Sequence, residues 1–257
     1  MDHLRKLIRG EMGRDIVWLG MVDSTNSFAM ELADKGASHG TIVIADRQTK
    51  GRGRMGRTWI SPSGGNIYMS VILAPPMELA QATLLTIMAG VACCRALRNT
   101  TGLPVEIKWP NDLMVAHKKL GGILTEIKSS GDTILYAVMG IGINVNAELR
   151  NFPPEVRSAA TSVRNEMGKT ESRAFLMAEI LNELDRWHHV FVQKGKEKLL
   201  NEWRELTSMM GRPVQVTMGE EIVKGLALDV DDEGMLIVKL PSGTLRRITF
   251  GELVVLR

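Results

Sequence analysis

The chain has 257 residues, 44% of them apolar and 24% charged, with a formal net charge of +3. That length and composition suit one large domain, or a core domain with a smaller one, and allow a real hydrophobic core. So small a basic excess argues against a general nucleic-acid binder, which needs a basic stripe. The two cysteines, Cys93-Cys94, are adjacent in an apolar helical pattern, where neighbours point about 100° apart and cannot bridge each other. They read as small core residues. The first residues lack the apolar run of a signal peptide, and no stretch reaches the roughly 18 apolar residues of a membrane span. The expectation is a cytoplasmic protein with no membrane partner.

Along the chain, Ile16 to Leu19 reads as a short strand. Asp23-Ser24-Thr25-Asn26 then offers several N-caps to a helix whose Phe28, Ala29, Leu32 and Ala33 share a face and which Gly36 ends. Thr41 to Ala45 and Ile67 to Leu73 are strands, the second closed by Pro75-Pro76. Glu78 to Arg98 is a long, apolar, mostly buried helix. Val105 to Lys108, Leu113 to Val115, Leu120 to Lys128 and Thr133 to Ile143 follow as strands. Ser172 to Lys194 and Lys196 to Met209 are helices. Near Gly211 the period changes. Short strands at Val214 to Thr217, Ile222 to Leu228, Met235 to Lys239 and Arg246 to Thr249 alternate with turns. The predicted class is α+β: a mixed sheet packed against helices over 1–210, with a small SH3-like β-barrel over 211–257.

Three segments carry chemistry. Between the second and third strands lies Gly51-Arg52-Gly53-Arg54-Met55-Gly56-Arg57. Its glycines permit tight turns and close approach, and its arginines present planar forks that match carboxylate and phosphate. It has neither the P-loop ending nor dinucleotide-fingerprint spacing. The second is Lys108-Trp109-Pro110-Asn111-Asp112-Leu113, followed by Lys118-Lys119-Leu120-Gly121-Gly122-Ile123-Leu124-Thr125-Glu126. The third, Gly140-Ile141-Gly142-Ile143-Asn144, alternates glycine on a strand, which strips side chains from one face and opens a slot.

Together with Asp23 to Asn26, Gln48 and Trp59, these segments resemble biotin protein ligase, also called biotin–[acetyl-CoA-carboxylase] ligase. The pieces come in the family's order over roughly 16–146, and the C-terminal strands resemble its small second domain. The resemblance implies an ATP-dependent, AMP-forming enzyme that makes biotinyl-5′-adenylate with Mg²⁺. It then transfers the biotinyl group to one lysine of a biotin carboxyl carrier protein domain of acetyl-CoA or another carboxylase. The first step brings two anions together. Like unit charges about 4 Å apart repel by about 4 kcal/mol at an effective dielectric near 20, so cations must offset them.

By resemblance, Lys119 and Arg52 are the catalytic pair, Lys119 facing both the biotin carboxylate and the α-phosphate, Arg52 binding the carboxylate and the adenylate phosphate. Ser24, Thr25, Asn26 and Gln48 meet the ureido ring. Gly51, Arg54, Gly122, Leu124, Gly140 and Gly142 complete the biotin site. Arg54, Arg57, Trp59, Asn111, Lys119 and Asn144 serve ATP, and Asp112 lies near Mg²⁺ or the lysine amine. Each has an ordinary alternative: a helix cap for Ser24 or Thr25, packing for Trp59, core for Leu124, a turn for Asp112.

Some family members carry an N-terminal helix-turn-helix domain and act as repressors. The residues before Ile16, with Leu4, Leu7 and Ile8 on one short helix, are too few for such a reader of the major groove. The expectation is a monofunctional ligase with no DNA partner, and by family likeness a homodimer through a sheet edge. The rival within the fold is a lipoate–protein ligase. The rival from another class is a nucleic-acid module, which would show basic residues interleaved with aromatics, whereas the C-terminal strands carry only Phe250.

Overall fold

Alternation along one strand decides how the molecule is layered. Between Ile67 and Leu73 all seven residues are buried. Ile67, Met69, Val71 and Leu73 join the main apolar core, while Ile72 joins a second cluster on the opposite face. A strand buried on both faces needs a layer on each side.

A computed structural model describes residues 2–74 and 77–256; the expected Pro75-Pro76 stop lies outside the described residues. In chain order the elements are α1 (Asp2–Leu7), β1 (Ile16–Leu19), α2 (Thr25–Asp34), β2 (Ile42–Ala45), β3 (Ile67–Leu73), α3 (Ala82–Thr101), β4 (Glu106–Lys108), β5 (Asp112–Val115), β6 (Lys118–Ser130) and β7 (Thr133–Ile143). Then come α4 (Pro154–Arg157), α5 (Val163–Met167), α6 (Arg173–Lys194), α7 (Lys196–Glu205), β8 (Pro213–Met218), β9 (Glu221–Val230), β10 (Leu236–Lys239), β11 (Leu245–Ile248) and β12 (Glu252–Val255). Seven strands form a mixed sheet in the order β1-β2-β3-β7-β6-β5-β4, parallel only between β1 and β2.

α3, α6 and α7 bury one face of this sheet; α2 covers part of the other through Phe28, Ala29, Leu32 and Ala33. Leu79–Thr101 is long and apolar enough, at mean hydropathy 1.5, to cross a membrane. That apolarity belongs to the core, because α3 is sandwiched between the sheet and α6 and buries Leu84, Leu85, Ile87, Met88, Val91 and Leu97.

The second sheet runs β11-β10-β9-β8-β12, antiparallel throughout, and no ladder joins β11 to β12 among the described residues. Its inner residues Val214, Val216, Val223 and Ala227 belong to the same core as the main sheet. Buried Trp109 ties the two together: its Nε1 donates to Gly234 O at 3.1 Å. β12, α4 and α5 had no sequence expectation. The last two are single turns without a readable period.

Candidate active site

The sheet registers put glycines where the sequence asked for an open slot. Ser70, Gly140 and Leu124 form one cross-strand row, and Tyr68, Gly142 and Gly122 form the next. Above them is a cavity of about 560 Å³. It is lined by Ser24, Thr25, Asn26, Gln48, Arg52, Arg54, Arg57, Trp59, Asn111, Asp112, Lys119, Gly122, Leu124, Gly140, Gly142 and Asn144. The structure therefore gathers around one space sixteen residues that are spread over 24–144.

At one end sits a polar network. Ser24 caps α2, its side chain accepting from Ser27 N, so the ordinary role and the site role coincide. Thr25 donates through N and Oγ1 to Gln48 Oε1 at 2.9 and 3.1 Å. Gln48 Nε2 donates to Ser61 Oγ at 2.9 Å. Asn26 donates through Nδ2 to Leu124 O at 3.0 Å and Glu126 Oε2 at 2.9 Å. Beneath them the Ser70 hydroxyl lies 2.8 Å from Thr25 Oγ1 and 2.6 Å from Asn26 Oδ1. Ser24, Thr25, Asn26 and Ser70 are all buried. Hydrogen-bonded buried polar groups hold their orientation, so this end is held rigid. Gly140 makes it possible: a Cβ there would stand 2.1 Å from Asn26 Oδ1. It makes room for a protein amide as well as lining the cavity.

The arginine–glycine loop folds as a tight hairpin. Gly53 N donates to Arg57 O at 2.7 Å, and Trp59 N to Gly51 O at 2.9 Å. Met55 at its tip is in the left-handed region, φ +55°, an uncommon conformation for a residue with a Cβ. Gly51 stands behind the loop rather than on the cavity wall. A Cβ on it would stand 2.4 Å from Trp59 O, so it allows the hairpin to close.

The three arginines divide their duties. Arg52 Nη2 pairs with Glu126 Oε2 at 2.5 Å. Arg54 turns inward, its Nη1 3.4 Å from Asn111 Oδ1. Burial lowers its pKa while the Asp112 charge opposes the shift, and a guanidinium stays charged in either case. Arg57 crosses to the second sheet, donating through Nη1 to Glu252 Oε1 at 2.7 Å and through Nη2 to the other oxygen. Arg52 and Arg54 both line the cavity; Arg54 is the more buried of the two.

Lys119 Nζ stands 2.5 Å from Asp112 Oδ1, and Lys108 Nζ stands 3.2 Å from Asp112 Oδ2. Burial pushes the Asp112 carboxyl up, but the two lysines together outweigh it and hold it below its ordinary range. Lys118 is exposed. The Lys119 backbone is clamped between Ala159 O, which accepts from its N at 2.7 Å, and Thr161 N, which donates to its O at 2.9 Å. Trp59 roofs this end, with Lys119 Nζ 5.6 Å from its ring centroid. Its Nε1 is buried without a hydrogen-bond partner. Asn144 Nδ2 donates to Thr161 O at 3.0 Å, so it braces this wall.

Of the two neighbours expected for Asp112, the structure supplies the amine. Both its oxygens are taken by lysines, and among the described residues no three His, Cys, Asp or Glu side chains cluster to hold a metal. Sequence reasoning missed Glu126, Glu252, Lys108 and Ser70, and the wall formed by Phe152, Val156 and Ala160. Lys108 and Glu126 stood inside quoted segments; the others belong to no motif and are brought in by tertiary packing.

One cavity thus joins a lysine–carboxylate pair, a glycine floor and an arginine loop. Residues 18–144 match the Biotin/lipoate A/B protein ligase family, and residues 210–256 match the Biotin protein ligase C terminal domain. The chain is 35% identical to the Bifunctional ligase/repressor BirA of Bacillus spizizenii, over 90% of this chain and 71% of that protein. It is 32% identical to the Biotin--[acetyl-CoA-carboxylase] ligase of Paracoccus denitrificans, over 88% and 94%. A solved structure of biotin protein ligase from Aquifex aeolicus, in complex with biotin and ATP, superposes with a TM-score of 0.80 at 32% identity, covering 95% of this chain and all of that one. The chain belongs to the biotin protein ligase family.

Proposed function

We propose that this cavity condenses biotin with ATP to biotinyl-5′-AMP and then yields the biotinyl group to a lysine of a biotin carboxyl carrier domain. The observation that carries the reading is the Lys119–Asp112 pair, 2.5 Å apart beside the bare floor of Gly122 and Gly142. The buried Thr25–Gln48–Asn26 network takes the ureido ring, whose carbonyl and N–H groups need both donors and acceptors. The valeryl chain runs beside Leu124 toward Lys119, over Gly122 and Gly142 once the Trp59 indole that rests on them lifts away. A carboxylate oxygen attacks the α-phosphorus, the P–O bond to the β-phosphate breaks, and pyrophosphate leaves with the electron pair. Lys119, positioned by Asp112, and Arg54 offset the repulsion between the two anions and stabilise charge on the α-phosphoryl oxygens. Arg57 and Asn111 lie toward the nucleotide. Arg52, tied to Glu126, anchors the loop. Magnesium bound with the nucleotide would supply further charge neutralisation of its phosphates. A homodimer joined at a sheet edge belongs to the same proposal, and light scattering tests it.

The test is exchange of labelled pyrophosphate into ATP with biotin, with lipoate or with neither. Exchange with biotin alone supports the reading. Exchange with lipoate alone keeps the mechanism and changes the acid. No exchange with either overturns it.

A further inference from the structure

Beside the main cavity is a second one of about 370 Å³. The two share Arg54, Met55, Trp109, Pro110, Ile123 and Leu124 as a common wall. The second cavity lies on the α3 side of β6, where Ile123, Thr125 and Ile127 project, and its far wall is Ala82, Thr83 and Thr86 at the start of α3. The β5–β6 ladder ends at Asp112 and Gly122, yet β6 runs on to Ser130. The space is therefore bordered by a strand edge that β5 does not cover. Thr249, in the turn before β12, brings the C-terminal sheet to it as well.

The lining has a consistent chemistry. Aliphatic and aromatic side chains alternate with threonine hydroxyls, and Thr86 Oγ1 donates to Thr125 Oγ1 at 2.8 Å. Among the described residues no aspartate or glutamate lines the space, and Arg54 is its one cation. A polyanion would need more cations than that. A long alkyl stem ending in an amine fits better: methylenes gain from the apolar walls, and the absent carboxylates with a nearby guanidinium favour a neutral, nucleophilic amine over an ammonium.

We propose that the second cavity is the channel through which the acceptor lysine of the carrier reaches the acyl-adenylate, with Thr83, Thr86, Thr125 and Ile127 enclosing its stem. This rests on the adenylation reading above. The lysine ammonium sheds one proton to water at the open side. Its nitrogen lone pair attacks the biotinyl carbonyl carbon, the new C–N bond forms, and the carbonyl C–O bond to phosphate breaks. AMP leaves with that electron pair, and the second proton passes from nitrogen to the departing phosphate. The common wall belongs largely to the glycine-rich loop and the Trp109-Pro110 turn, so movement of Arg54 and Met55 joins the two spaces.

The full-length enzyme is loaded with biotin and ATP and discharged in single turnover by n-alkylamines from methylamine to butylamine. Pyrophosphate exchange is followed in parallel. The channel predicts a discharge rate that rises by about fourfold per added methylene, the worth of burying one. Thr83→Phe, which fills the space, flattens this dependence and slows transfer to the carrier, while exchange continues as in the unsubstituted enzyme. Discharge independent of amine length in the unsubstituted enzyme overturns the channel alone, without reference to any variant. Loss of exchange and transfer together in Thr83→Phe also counts against it, because the residue would then serve the shared adenylation site. Absence of exchange in the unsubstituted enzyme overturns the adenylation reading and this inference with it.

Discussion

The indole of Trp59 lies against Gly142 so closely that a Cβ on the glycine would stand 2.7 Å from the ring. The same ring is 3.6 Å from where a Cβ on Gly122 would be, so the loop's far end closes onto the two bare positions of the sheet. Gly142→Ala is expected to push the indole off its seat and narrow the floor. Overpacking of this kind costs about 1–3 kcal/mol, which corresponds to a loss on the order of tenfold or more in biotin-dependent pyrophosphate exchange. The steady-state biotin dependence checks it; unchanged kinetics would show that the ring moves freely aside.

Lys119→Ala removes the amine that Asp112 positions. Adenylation is expected to fall by about 10²–10³-fold, the scale of one lost transition-state donor, with exposed Lys118→Ala close to the unsubstituted enzyme. Stopped-flow formation of biotinyl-AMP separates the two. Comparable losses in both would break the assignment of register.

Arg54 and Arg52 differ in direction, and their variants are expected to differ accordingly. Arg54→Gly deletes the inward guanidinium beside Asn111 and Asp112. It should shorten retention of the adenylate and let it label bystander amines. Arg52→Gly leaves that group in place and breaks only the pair with Glu126, so its leakage should be smaller. Release of labelled adenylate, measured by rapid filtration, gives the order; the reverse order would give the larger role to Arg52.

His39 and His188 pack with ring centroids 4.8 Å apart, and His39 Nδ1 accepts from Ala74 N at 3.1 Å. Burial pulls both below their ordinary value of 6.5; the His39 charge adds to this at His188, while Glu11 and Asp185 oppose it at each ring. A histidine depressed in the fold stays neutral there, so its contribution to stability is complete above pH 6.5 and is lost as pH falls through the folded value. Stability should therefore drop from pH 6.5 downward, with a slope up to about 1.4 kcal/mol per pH unit for each ring. Urea unfolding across this range should show a shallower slope in His188→Leu, and an identical slope would exclude the pair as its source.

Much of the site was legible because its chemistry sits in short runs. Backbone-dependent residues such as Gly122 and Gly142, and the Lys-Leu-Gly-Gly register that picks Lys119 over Lys118, are local signals. The strands and long helices were legible for the same reason, since hydrophobic period is a local property. Glu126 and Glu252 were not, because nothing near them in the chain says which arginine they meet. The second comes from β12, far along the sequence from Arg57.

The sequence by itself therefore determined the α+β layering, the arginine loop, the glycine slot and the family resemblance, each set by neighbouring residues. Tertiary structure decided which arginine faces inward and what Gly140 makes room for. It also decided that Asp112 bridges two lysines, and that a second space opens beside the first. Those depend on strand register and on packing between distant segments, where a shift of one residue moves every side chain to the other face.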